Sequence, residues 1–356
     1  MSADLMNPPK RARGRVRLEH VTLAHGGGGR AMKDLIDDVF VSAFDNPILE
    51  TLEDQARIDL SDLGRRGDRL AFTTDSFVVD PLVFPGGDIG KLAVCGTVND
   101  LAMGGAVPLH LSCAAIIEEG TPLSLLRDIA ASMAKCARDA GVSIVTGDTK
   151  IVQKGAADKL FLTTAGIGVI RQDIVLGADR ARLGDVVLVN GPIGDHGVAI
   201  LCARGEMALA APVESDCACL HGLVAALLDA APGVRGLRDA TRGGVATVLN
   251  EFASASAVSI VLDEAAIPLR EPVRAVCEIL GLDPLYMANE GKLVAIVPAE
   301  SAEAALAALR AHPLGRDAAT IGRVEAGAPG RVTMKSVFGG ARIVDMLVGE
   351  QLPRIC

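Results

Sequence analysis

Five carboxylates stand close to glycine, threonine or asparagine: Asp75, Asp88, Asp100, Asp148 and Asp239. Short oxygen ligands of this kind suit Mg²⁺, which binds carboxylates together with substrate phosphates and retained water. Asp100 follows Asn99 inside the apolar run 91–105, which reads as a helix. A polar pair there is either satisfied internally or faces a site. Asp148 and Lys150 follow a β-branched run in Thr146-Gly147-Asp148-Thr149-Lys150. The acid could sit on a cation and the ammonium on a phosphate, or the segment could be an ordinary tight turn. Glycine clusters at 25–30, 191–197 and 239–244 offer runs of backbone N–H groups, which either cradle phosphate oxygens or form plain turns. Residues 86–92 hold a Gly-Lys step but lack the first glycine and the Ser or Thr of a P-loop.

Eight cysteines are present and none forms a CxxC pair, so the spacing argues against a structural zinc site. Cys95, Cys113, Cys136, Cys202 and Cys277 have apolar neighbours and read as small core residues. Cys356 differs because it is the final residue.

The elements that must position these groups are a mixture of strands and helices. Runs at 69–74 and 142–146 read as strands, each followed by an acidic turn at Asp75 and at Gly147-Asp148. Between them 122–140 reads as an amphipathic helix capped by Thr121, with Leu126, Ile129, Ala130, Met133 and Ala137 on one face and Gly141 at its end. Further strands are expected at 160–170, 185–190, 258–262, 293–297 and 342–348, and a helix at 301–312. The order lacks the strict alternation of a doubly wound parallel sheet, so the class is mixed α/β. The charged, glycine-containing stretch 177–184 marks a boundary, dividing the chain into a basic arm (1–17) read as disordered, a first domain (18–178), a second domain (179–348) and a mobile tail (349–356).

At 356 residues the chain has room for two ordinary cores. One Tyr, no Trp and a net charge of −9 argue against nucleic acid as a partner. Apolar stretches fall short of the roughly 18 residues of a membrane span, and the basic start lacks the apolar core of a secretory signal. A cytoplasmic protein is expected.

Taken together, the motifs resemble the HypE family of hydrogenase-maturation proteins, within the superfamily of aminoimidazole ribonucleotide synthetase (PurM) and selenophosphate synthetase. The carrying residues are Ala24 with 25–29, Thr74-Asp75-Ser76-Phe77, the block 84–102, 146–150, 191–197, 239–244, Asn289-Glu290-Gly291-Lys292 and the terminal Pro353-Arg354-Ile355-Cys356. The resemblance implies a two-domain PurM-like fold whose N-terminal domains pair in a sheet-rich homodimer core, with ATP and Mg²⁺ as cofactors. It implies ATP-dependent dehydration of an S-carboxamide on Cys356 to a thiocyanate. Its partners would be a HypF-type carbamoyltransferase and the HypC–HypD complex, which receives the cyanide destined for hydrogenase iron. On this reading Asp75, Asp100, Asp148 and Asp239 hold metal; Lys91, Asp88, Asn99, Asp100, Gly147, Asp148 and Thr149 bind nucleotide; and Glu290, His196 and Lys150 join Cys356 in catalysis, each with a structural role as the alternative. Rival readings are a small-molecule synthetase of the same superfamily and a non-enzymatic thiol carrier; the terminal thiol weighs against the first.

Overall fold

The helix Ile89–Met103 is apolar on every side, and only Lys91 and Asp100 among its residues escape full burial. Such a helix must lie inside the molecule. The computed structural model describes residues 13–205, 212–347, 349, 352 and 354–356, and in it this helix stands between the two domains. Asp88 starts it, its Oδ1 accepting from the backbone N–H of Gly90 and Lys91.

The first domain is built on strands β1 (Arg69–Phe77), β4 (Ala106–Glu118), β5 (Ser143–Val152) and β6 (Leu160–Ile170), with a short hairpin of β2 (Val83–Phe84) and β3 (Gly87–Asp88). The sheet order is β1-β6-β4-β5, antiparallel except for β4 with β5. The parallel pair is joined through the helix Leu123–Asp139, which packs with Ile89–Met103 over one face. That helix ends at Gly141 with φ +69°, as its sequence suggests. Thr121 does not cap it; the hydroxyl donates to the carbonyls of Glu118 and Lys159, tying the loop to the neighbouring strands.

Asp75 and Gly147-Asp148 are inside strands rather than in turns after them. The ladders run on to Phe77↔Leu162 and Glu118↔Val152, and their backbone pairing outweighs the turn preference of Gly and Asp. Gly147 is required there: a Cβ would come within 2.2 Å of the Cys113 carbonyl.

The second domain is a sheet of β7 (Val186–Val189), β8 (Gly236–Asp239), β9 (Ser259–Asp263), β10 (Leu293–Val297), β11 (Ala319–Glu325), β12 (Arg331–Lys335) and β13 (Ala341–Ile343), in the order β13-β12-β9-β11-β7-β10-β8. Only β9 and β12 run parallel. Every residue of β10 is buried. Leu293, Ala295 and Val297 face the helices His221–Ala230 and Ala302–Ala311, while Val294 and Ile296 face Gly244–Ala255. The two-residue strand period thus places one strand in two cores. Ala102 and Met103 join the first of these cores, locking the two domains together.

At the amino end, residues 1–12 of the basic arm lie outside the described residues, but the stretch 13–17 is held at two points. Val16 is buried, and Arg13 pairs with Asp45 at 2.5 Å and Glu50 at 2.9 Å. At the carboxyl end residues 348, 350, 351 and 353 lie outside the described residues. The remaining tail packs more than its composition suggests, with Ile355 buried and Leu352 and Cys356 against the first core. Among the described residues no helix is long and apolar enough to cross a membrane.

Candidate active site

A cavity of about 210 Å³ opens where β1 and Ile89–Met103 meet the second domain, lined by Asp75, Asp100, Asp239, Arg242, Glu290 and Cys356 among others. β1 supplies Asp75, the long helix Asp100, the end of β8 Asp239, and the segment before β10 Glu290. Gly96 makes room: a Cβ there would stand 2.8 Å from the Phe77 ring and 3.5 Å from Asp75 Oδ2.

The carboxylates crowd one another. Burial pushes Asp75 up, against the pull of the Ser76 N–H and of Arg242, whose Nη2 is 4.0 Å from Asp75 Oδ1. Asp100 is raised by burial and by Asp75, although the Thr73 hydroxyl donates to its Oδ2 at 2.9 Å. Burial and the nearby Asp100 push Asp239 up to about 7. Glu290 is raised well above the carboxylate range by burial, then by Cys217 and Asp216, and its Oε1 is buried with no hydrogen-bond partner among the described residues. A group of oxygen ligands short of positive charge fits a divalent cation.

Cys356 is held in this cavity by its neighbours. The Arg354 carbonyl accepts from the Asp80 N–H at 3.2 Å and from Arg204 Nη2 at 2.9 Å, and the Ile355 carbonyl accepts from His196. Burial, then the Glu290 charge, pushes the Cys356 thiol up.

The other expected residues divide. Asp88 caps the helix through Oδ1, and its Oδ2 accepts from Ser132 at 2.5 Å. Asn99 clamps the two domains, donating to the Ala218 carbonyl at 3.0 Å and accepting from the Leu220 N–H at 2.7 Å. Lys91 donates to the Gly86 carbonyl. His196 is fully buried with both ring nitrogens engaged, one with the Ser215 hydroxyl and the other with the Ile355 carbonyl of the tail.

Asp148 and Lys150 are absent from the acidic cavity. One row of the sheet reads Asp75, Thr164, Cys113, Gly147. β5 is therefore three strand spacings from β1, about 14 Å, and by alternation Asp148 and Lys150 fall on the opposite face from Asp75. Gly147, Asp148 and the buried Thr149 line a second cavity of about 330 Å³ with Gly28, Lys33 and Phe40. Of the glycine clusters, 239–244 borders the acidic cavity through Thr241 and Arg242, whereas 191–197 turns through Gly194 at φ +86° into the helix that carries His196.

Arg242 and Thr241 also line the cavity, and their place beside Asp239 in the cluster 239–244 was the only sequence signal for them. Sequence reasoning missed Asp216, whose Oδ2 pairs with Lys292 at 2.9 Å and whose oxygens accept from the Glu290 and Gly291 N–H groups. Burial opposes its ionisation, but Lys292 and these donors hold it below the ordinary range. No local pattern marks it.

Two family models match the chain: AIR synthase related protein, N-terminal domain, over residues 52–170, and AIR synthase related protein, C-terminal domain, over 182–335. Fold and site thus define a two-domain protein of the AIR synthase-related, PurM-like class, as the sequence implies. The carbamoyl dehydratase HypE of Rhodobacter capsulatus is 60% identical over 341 residues, 96% of this chain and 99% of that protein. A crystal structure of the hydrogenase maturation protein HypE in complex with ATP has a TM-score of 0.89 at 52% identity, covering 94% of this chain and 99% of that one. A chain from a HypE–HypF complex has a TM-score of 0.76 at 45% identity, covering 90% and 100%. The chain belongs to the HypE family of carbamoyl dehydratases, enzymes of hydrogenase maturation.

Proposed function

We propose that this chain uses ATP to dehydrate a carboxamide carried on the sulfur of its own Cys356, giving a thiocyanate. The observation that carries the reading is the meeting of Cys356 with Glu290 and three further carboxylates in one cavity. A catalyst for a free small molecule would not need a thiol of its own there, whereas a chain that carries its substrate on that thiol must bring it in.

The reaction needs a better leaving group than an amide oxygen. That oxygen takes the γ-phosphoryl group of ATP as one N–H proton leaves, giving an O-phosphorylated imidate. Loss of the second N–H proton forms the carbon–nitrogen triple bond as phosphate departs with the oxygen. ADP, phosphate and the thiocyanate on Cys356 result.

Glu290, which lines the cavity with Cys356, is in its carboxylate form the acceptor for the first nitrogen proton, and the departing phosphate takes the second. Mg²⁺, held by Asp75, Asp100 and Asp239, would offset phosphate charge during transfer. Arg242, beside Asp75, is oriented toward the same charge. The unmodified thiol, kept neutral by burial, is a poor nucleophile in place. Carbamoylation by a HypF-type partner therefore occurs with the tail withdrawn, and docking follows; the known HypE–HypF complex supports this partner. The HypC–HypD complex is the proposed acceptor of cyanide, and the cytosol the proposed compartment.

The second cavity is the proposed nucleotide site, where apolar Phe40 can face a base while Gly28, Lys33, Gly147 and Thr149 face phosphates; Asp148 lines it too, and Lys150 follows two residues on along the same strand. The relative solved with ATP supports the ligand. The open sheet face exposes Phe72 (69%), Leu70 (59%) and Ile116 (41%), an apolar surface suited to a second copy. Pairing of these faces in a homodimer would bring Asp148 and Lys150 of one chain to the β1 edge of the other.

The test is Glu290→Gln on carbamoylated chain. Loss of water driven by ATP is expected to slow on the order of a hundredfold or more, with the carboxamide persisting by mass. An unchanged rate would remove Glu290 from the chemistry.

A further inference from the structure

Three thiols from distant parts of the sequence meet away from the acidic cavity. Cys95 lies in the helix Ile89–Met103, Cys136 near the end of Leu123–Asp139, and Cys219 two residues before His221–Ala230. Their sulfurs form a nearly equilateral triangle: 3.5 Å from Cys95 to Cys136, 3.7 Å from Cys136 to Cys219 and 3.5 Å from Cys219 to Cys95. All three are free thiols.

A tetrahedral zinc site with sulfur at about 2.3 Å has sulfur–sulfur edges of about 3.8 Å. The triangle is therefore within a few tenths of an ångström of one face of such a tetrahedron. Thiols are weak donors and weak acceptors, and three of them in mutual contact gain little from hydrogen bonding alone. A disulfide would draw two sulfurs to about 2.0 Å and leave the third outside the bond.

The surroundings hold the third sulfur in place. Asn99, one helical turn after Cys95, grips the Ala218 carbonyl and the Leu220 N–H on either side of Cys219. That clamp sets Cys219 of the second domain against two cysteines of the first. His221, two residues beyond Cys219, has a buried Nδ1 with no hydrogen-bond partner among the described residues, and imidazole is a common companion of thiolates on zinc. Cys136 and Cys219 are half-buried, which gives a cation a way in.

We propose that Cys95, Cys136 and Cys219 form a binding site for a thiophilic divalent cation, zinc foremost, that ties the two domains together. Binding replaces three S–H protons with three sulfur–metal bonds and releases three protons to solvent. The site is separate from the acidic cavity and does not depend on the proposed reaction.

The test uses the full-length chain, reduced and stripped with chelator, then titrated with Co²⁺ as a spectroscopic stand-in and with Zn²⁺. The expected result is one equivalent of Co²⁺ with sulfur-to-metal charge transfer and the intense visible bands of a tetrahedral sulfur-rich site, displaced by one equivalent of Zn²⁺. Zn²⁺ should also raise the melting temperature. Cys136→Ser and Cys219→Ser, near-isosteric changes checked for folding by circular dichroism, should lose both effects, and Cys202→Ser, a thiol elsewhere, should keep them. Absence of the sulfur-rich spectrum in the wild type, or its persistence in both folded serine variants, would overturn the proposal.

Discussion

His196 Nε2 and the carbonyl oxygen of Ile355 are 2.8 Å apart, and because a carbonyl only accepts, this contact fixes the imidazole tautomer. Nε2 carries the proton, so Nδ1 accepts from the Ser215 hydroxyl at 2.8 Å. Burial lowers the pKa of the ring, which stays neutral. The last peptide carbonyl before Cys356 is thus held by a residue that has no free nitrogen for proton transfer.

His196→Ala is therefore expected to act on tail docking. Losing a buried hydrogen bond of about 1–2 kcal/mol corresponds to about a 5- to 30-fold drop in the docking equilibrium constant. The water-loss rate of carbamoylated chain should fall by up to that factor while carbamoylation by the partner enzyme is retained. A variant with the wild-type dehydration rate would deny the anchor its role.

Asp239 links the site to pH. Its folded pKa of about 7 lies above the roughly 4 of an unfolded carboxylate, so between these values the folded chain holds a proton that the unfolded chain has lost. Its contribution to stability falls as pH rises through that window. Without Mg²⁺, Asp239→Asn should stabilise the chain at pH 8 by about 2 kcal/mol, discounted for its partial contact with solvent, with little gain at pH 5. The same variant should lose ATP-dependent dehydration. Urea unfolding at the two pH values checks the first outcome; equal stability gains at both would refute it.

Lys292 and Asp216 form a buried ion pair at 2.9 Å. Lys292→Met leaves the Asp216 charge without its partner and should cost about 3–5 kcal/mol in unfolding free energy. A loss below about 1 kcal/mol would place the pair among solvated contacts.

The separation of Lys150 from Asp100 within one chain yields a mixing experiment. If a second chain completes each site, Asp100→Asn and Lys150→Ala are each inactive, but random mixed dimers carry one intact site in two. Half the dimers are mixed, so about one quarter of wild-type activity should return on mixing. No recovery, with mixed dimers demonstrated by mass, would place both residues in one chain's site. Phe72→Asp on the open sheet face should shift the chain toward monomer in sedimentation.

Helix 122–140, strand 160–170 and strand 293–297 were legible because local periodicity and flanking glycines agree with the tertiary structure. Asp75 and Asp148 were misplaced into turns because their local preference for turns yields to ladder pairing that extends over distant residues. In the site, Asp100 and Glu290 were readable as polar residues among apolar or glycine neighbours. Asp88 and Asn99 carried the same signal but spend it on a helix cap and a domain clamp, a distinction set by residues 44 and 119–121 positions away. The Cys95–Cys136–Cys219 triangle had no sequence signal, since its members come from three elements and share no spacing rule.

On the proposed function Cys356 is both thiol and substrate carrier. The direct measurement is intact mass after incubation with carbamoyl phosphate, ATP, Mg²⁺ and the HypF-type carbamoyltransferase, with Cys356→Ala alongside. The expected result is a gain of one carboxamide on the wild type, then an ATP-dependent loss of one water, and neither change in the variant. An adduct that forms equally on Cys356→Ala, or no adduct on the wild type with an active partner, would contradict it.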